Sequence, residues 1–89
     1  MTSIHFDFSG KTVLVTGASR GIGFGVARGF AQAGADLHIL ATNDAVITAA
    51  KTLGKETGST VNGHVCDITD RVRVSAVMKE FGHIDVLIN

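Results

Sequence analysis

The run Thr16-Gly17-Ala18-Ser19-Arg20-Gly21-Ile22-Gly23 holds the residues of this sequence best suited to chemistry, and that chemistry is the binding of phosphate. Glycines spaced G-x-x-x-G-x-G leave the backbone bare, so its N–H groups can approach an anion closely. Gly17 lets the chain leave a strand in a tight turn, Gly21 admits a pyrophosphate, and Gly23 permits close packing of a helix on that strand. The spacing differs from the commoner G-x-G-x-x-G, and with 11 glycines in 89 residues it would mean little alone. Its setting gives it weight. Lys11–Thr16 (KTVLVT) before it is an apolar, β-branched run that reads as a buried strand. Ile22, Val26, Phe30 and Ala33 after it recur at helical spacing up to Gly34, which predicts a helix over Ile22–Ala33 with those four facing inward.

The elements that position this turn follow the same alternation. Asp36–Ala41 (DLHILA) predicts a second strand, and Thr42, Asn43 and Asp44 suit the cap of a helix from Ala45 to about Lys55 that buries Val46, Ile47, Ala50 and Leu53. Thr60–Cys66 predicts a third strand. Asp67-Ile68-Thr69-Asp70 leads to a helix with an apolar stripe of Val74, Val77, Met78 and Phe81, stopped by Gly82. Ile84–Ile88 opens a fourth strand. Strand and helix alternating without proline or repeats predicts an α/β fold, a Rossmann-like doubly wound parallel sheet. Right-handed crossovers give strand order 3-2-1-4. The fourth strand is then an apolar open edge, which leads to the expectation that further chain follows Asn89.

Composition narrows the classes. Eight basic and eight acidic residues balance, so no overall field recruits nucleic acid or an anionic membrane. The Arg71, Arg73 and Lys79 group reads as the solvated side of its helix, without the aromatic residues a nucleic-acid patch needs. No apolar stretch approaches a membrane span and the first residues do not read as a signal peptide, so the expected location is the cytoplasm. A single cysteine, Cys66, reads as a reduced, buried thiol. His5, His38, His64 and His83 fall on different elements with no pair at metal-ligand spacing, so they read as structural and no metal site is expected.

TGASRGIG after a GKTVLV strand resembles the cofactor-binding signature of the classical short-chain dehydrogenases/reductases. Asp67-Ile68 resembles that family's adenine-contacting position, and Ile84-Asp85-Val86-Leu87-Ile88-Asn89 resembles the strand that opens its NNAG motif. The resemblance spans Phe8 to Asn89. It implies that Gly17, Ser19, Arg20, Gly21, Ile22 and Gly23 bind the pyrophosphate and ribose, that Asp67 accepts a hydrogen bond from the adenine amino group, and that Ile68 packs beside the ring. Asn89 matches the first Asn of NNAG, a sheet-bracing residue more than a cofactor contact.

NAD-specific members of the family place a carboxylate at the end of the second strand, where this chain has Ala41-Thr42. Thr42 leaves room for a 2′-phosphate and Arg20 supplies a charge for it, so the reading favours NADP over NAD. Asp44 is the competing candidate for a ribose-binding acid. It reads instead as a capping or first-turn residue.

The resemblance further implies hydride transfer between nicotinamide and a carbonyl or alcohol, with a tyrosine acid/base assisted by a lysine four residues on. The chain has no tyrosine, and none of Ser9, Ser19, Ser59 or Ser75 fits the family's catalytic serine. No catalytic residue is therefore assigned. Residues 1–89 read as the N-terminal part of one dinucleotide-binding domain whose catalytic part lies elsewhere, inactive alone, and homo-oligomeric when complete. The alternative is a self-contained, non-catalytic adenine-nucleotide-binding module.

Overall fold

The computed structural model describes residues 7–89; His5 and the rest of the first six residues lie outside them. The elements are β1 (Thr12–Thr16), α1 (Gly21–Gln32), β2 (Asp36–Ala41), α2 (Ala45–Thr57), β3 (Val61–Val65), α3 (Arg71–Phe81) and β4 (Val86–Ile88). The strands form one sheet in the order β3-β2-β1-β4, every pair parallel, as right-handed crossovers require. Val13 lies opposite Leu37 and Val86, and Leu37 opposite Val61.

Side chains alternate across this sheet, and both faces of β1 and β2 are buried. Val13, Val15, Leu37, Ile39 and Ala41 meet Ala27 and Ala31 of α1 and Val46, Ala49, Ala50 and Leu53 of α2 in the main core. Leu14, Leu40 and Cys66 meet Val77 of α3 on the other face. Burial on two sides explains why β1 and the end of β2 read as unbroken apolar runs. Leu37, Ile39, Val46 and Leu53 are fully excluded from solvent, each contributing about 1.5–3 kcal/mol of transfer free energy.

The helical faces differ from those predicted. Ile22 is 89% exposed and the residues of α1 that reach the core are Ala27 and Ala31, with Val26 and Phe30 only partly covered. Small side chains at the contact let α1 approach the sheet, and a bulky residue in its first turn has nothing to pack against. In α2, Ala49 takes the inward place given to Ile47, which is 38% exposed. That helix also runs two residues beyond Lys55, where the Thr57 hydroxyl donates to the Leu53 carbonyl at 2.7 Å.

The strand ends are shorter than the apolar runs, yet their backbone pairing continues. Leu37 N–H donates to Thr60 O and Cys66 N–H to Ala41 O, both at 2.9 Å, on either side of β3. Ahead of β4, Asp85 exchanges two bonds with Thr12 of β1: its N–H donates to Thr12 O at 2.8 Å, and its Oδ2 accepts the Thr12 N–H at 2.8 Å. Ile84 packs under α3 instead of joining the strand. Among the described residues no helix is long and apolar enough to cross a membrane.

Candidate nucleotide site

The carboxyl ends of β1, β2 and β3 converge on one cleft because hydrogen bonds tie them together. Gly17 N–H donates to Leu40 O at 2.8 Å, which draws the turn after β1 onto the end of β2. The Cys66 bond to Ala41 does the same for the end of β3. Between them lies a pocket of about 470 Å³ walled by Gly17, Ser19, Arg20, Gly21, Leu40, Ala41, Thr42, Asn43, Cys66 and Ile68. In an open parallel sheet this is where ligands bind.

Gly17 and Gly21 both hold φ at +65°, a left-handed backbone that β-carbon-bearing residues resist. Gly23 is constrained differently. A β-carbon there would drive into the Gly17 carbonyl oxygen and lie 2.9 Å from its carbonyl carbon, so the first turn of α1 can sit over Gly17 only without a side chain. The contact is thus between helix and turn, where helix packing on a strand was expected.

This packing aims the start of α1 at the cleft. Arg20 caps the helix with extended backbone and contributes no side-chain capping bond. The first backbone bond of the helix runs from Phe24 N–H to Arg20 O, so among the described residues the amides of Gly21, Ile22 and Gly23 have no acceptor. Unpaired N–H groups at a helix N-terminus, with the partial positive charge of the helix dipole, form an anion-binding arrangement. Arg20 is exposed at the rim and forms no ion pair among the described residues.

The structure brings Gly17, Ser19, Arg20, Gly21, Thr42 and Ile68 into one wall. Ile22, Gly23 and Asp67 are not wall residues: the Ile22 side chain points to solvent, and Gly23 supports the turn from behind. Asp67 is exposed, with Oδ1 accepting both the amide and the hydroxyl of Thr69, at 2.9 and 2.7 Å. These two bonds, the hydroxyl's foremost, hold its carboxyl below the usual range. Oδ2 carries no such commitment.

Leu40, Ala41, Asn43 and Cys66 complete the wall and were not assigned to it from sequence. Of the three residues suited to the cap, Asn43 is the one that caps, and Asp44 stands in the first turn. Asn43 Oδ1 accepts the Ala45 N–H at 2.9 Å, whereas Asp44 already has helical backbone (φ −64°, ψ −15°) and its side chain makes no capping bond. An Asn two residues before a helix start was the available signal. Cys66 is buried and unpaired, at the floor beside Leu40.

Asn89 lies at the opposite end of the turn's support. Its Oδ1 accepts the Thr16 hydroxyl at 3.0 Å, linking the last residue of β1 to the end of β4 just before Gly17. The histidines are less scattered than their spacing indicated. His38 Nδ1 and His64 Nε2 lie 3.2 Å apart across β2 and β3, because parallel register turns both to the α3 face. Among the described residues no group of three or more His, Cys, Asp or Glu side chains forms a metal site.

Residues 11–89 match the short chain dehydrogenase family. The chain is 43% identical over 84 residues to the 3-oxoacyl-acyl-carrier-protein reductase FabG of Chlamydia muridarum, covering 89% of this chain and 34% of that enzyme. Among solved structures, the L-sorbose reductase of Gluconobacter frateurii complexed with NADPH and L-sorbose superposes with a TM-score of 0.88 at 34% identity, over 97% of this chain and 35% of that one. The RhlG/NADP complex of Pseudomonas aeruginosa gives 0.83 at 30% identity, over 92% and 34%. The chain therefore spans about a third of the length of the proteins it matches. With its fold, its glycine turn and 79 of its 89 residues accounted for by that match, the chain belongs to the short-chain dehydrogenase family of oxidoreductases.

Proposed function

We propose that this chain is the nucleotide-binding portion of an NADP(H)-dependent oxidoreductase that moves a hydride between nicotinamide and a carbonyl or alcohol. The observation that carries the cofactor choice is the composition of the pocket wall: Arg20 is its one charged residue, and it contains no carboxylate. A wall of that kind accommodates a 2′-phosphate, which a ribose-binding acid would repel. Similarity to proteins whose structures hold NADPH or NADP supports the same choice.

In this reading the free amides of Gly21, Ile22 and Gly23 receive the pyrophosphate, with Gly17 and Ser19 beside them. Arg20 and Thr42 take the 2′-phosphate and Asn43 adds an amide donor at the same rim. Ile68 packs against the adenine ring and Asp67 accepts its amino group through Oδ2. The dinucleotide, when bound, would give the hydride to a carbonyl or take it from an alcohol. The chain's own residues bind and orient it, and the proton-transfer groups belong to the remainder of a full-length reductase.

Fluorescence titration of the chain with NADPH and NADH tests the proposal. NADPH should bind at least about tenfold more tightly, a difference of about 1.4 kcal/mol, and Arg20→Ala should erase that preference. Equal, weak binding of both nucleotides would remove the 2′-phosphate site.

A further inference from the structure

A second cluster of titratable side chains lies on the opposite side of β2 and β3 from the main core, outside the pocket wall. His38 and His64 are both half-buried, with Nδ1 of the first 3.2 Å from Nε2 of the second. The Phe81 ring of α3 stacks on His38, centroids 4.0 Å apart and planes within 21°, and leans on His64 at 4.9 Å. This stack joins the apolar contacts that dock α3 on the sheet. Val77 is the only buried residue of that helix, with Val74, Met78 and Phe81 partly covered.

From β3 the chain runs through Cys66, Asp67 and Ile68 into α3, so where α3 docks determines where Ile68 stands in the pocket wall. We infer that the His38–His64–Phe81 stack is a pH-sensitive latch that holds α3, and with it Ile68, against the sheet, and that acid opens it. The latch stands on this geometry alone; its bearing on cofactor affinity rests on the nucleotide reading above.

Two neutral imidazoles share one N–H···N bond, and a first added proton preserves it. A second proton leaves two donors facing each other at the same separation, both charged and partly covered by Phe81. The surroundings tolerate one charge better than two. Asp36 on β2 faces His38, Glu80 on α3 faces His64, and Arg73 on α3 opposes a charge on His64. β1 presents the neutral Leu14 opposite His38, and Cys66, just after β3, is buried on the same face of the sheet. Burial is the largest influence on both rings and pushes them below the usual imidazole range.

The direction follows from linkage. With native pKa values lowered, the folded state binds fewer protons than the unfolded chain in mild acid. The stability the neutral pair supplies is therefore complete above the ordinary imidazole value of about 6.5 and is lost as pH falls through the lowered native values.

NMR of the nucleotide-free chain between pH 8 and 5 tests the latch independently of cofactor binding. The amide signals of Ile68 and of Arg71–Phe81 should move together with the His38 and His64 ring nitrogens, at a midpoint below about 6.5. In His64→Gln, whose amide can still hydrogen-bond to His38 but cannot carry the second proton, the α3 signals should stay in place across this range. Signals of α3 that remain fixed in the unmodified chain while the imidazoles titrate would overturn the inference. So would movement of equal size in His64→Gln. If that variant does not fold, the unmodified chain alone decides. A chain that binds neither NADPH nor NADH would contradict the proposed function and leave these readouts unchanged.

Discussion

Asn43 Oδ1 accepts the Ala45 N–H at 2.9 Å, so one side chain both starts α2 and stands in the wall of the pocket after β2. That bond occupies its acceptor and leaves the amide NH₂ with no partner among the described residues. A residue whose side-chain oxygen is tied to a helix start presents its other end with little freedom, and here that end is a donor.

Replacing this donor by an acceptor of the same shape should change cofactor choice without unmaking the helix. Asn43→Asp keeps an oxygen for Ala45 and brings a negative charge to a wall that has none. NADPH affinity should fall about tenfold or more while NADH affinity holds or rises, as read by paired fluorescence titrations.

Two glycines in the same helix should respond to alanine in opposite senses. Gly23→Ala forces a β-carbon into the Gly17 carbonyl and should cost about 1–3 kcal/mol, with loss of nucleotide binding. Gly25, one turn surface away, has nothing within 4 Å of a built β-carbon, so Gly25→Ala should gain about 0.5–1 kcal/mol. Urea denaturation of both variants measures the contrast.

The main core offers little reserve in so short a chain. Leu53 is fully buried between α2 and the sheet, and Leu53→Ala should remove about 2–5 kcal/mol. For a domain of this size that is a large share of a total near 5–10 kcal/mol. Thermal unfolding followed by circular dichroism should show a broad, low-temperature transition or none.

Thr69→Ala should raise the Asp67 carboxyl toward its ordinary value, because the hydroxyl is the larger of the two bonds holding it down. A lowered carboxylate supplies stability that is complete above about pH 4 and fades as pH falls through the native value. The variant should therefore lose less stability on acidification, checked by carbon NMR of the Asp67 carboxyl and acid unfolding.

The fold was legible because β1, β2 and the intervening helix carry strong periodic signals bounded by Gly10, Gly17 and Gly34, and a parallel sheet follows from their alternation. The turn from Gly17 to Gly23 was legible because backbone geometry itself demands those glycines. What stayed hidden depended on register and on competition between neighbours. Ile22 fits an apolar stripe by spacing, yet the close approach of α1 is made by Ala27 and Ala31. Thr42, Asn43 and Asp44 all suit a cap by type, and only the backbone geometry shows that Asn43 caps while Asp44 stands in the first turn. His38 and His64 stand 26 residues apart, and it takes the pairing of β2 with β3 to make them neighbours.

If the free amides at the start of α1 are the anion site of an NADP(H)-binding cleft, bound NADPH must shift their signals. Amide chemical-shift mapping with NADPH tests it most directly. Gly21, Ile22 and Gly23 should show the largest saturable shifts, with Thr42, Asn43 and Ile68 following at the same dissociation constant. Saturable shifts confined to other parts of the sheet, or none at these three amides, would contradict it.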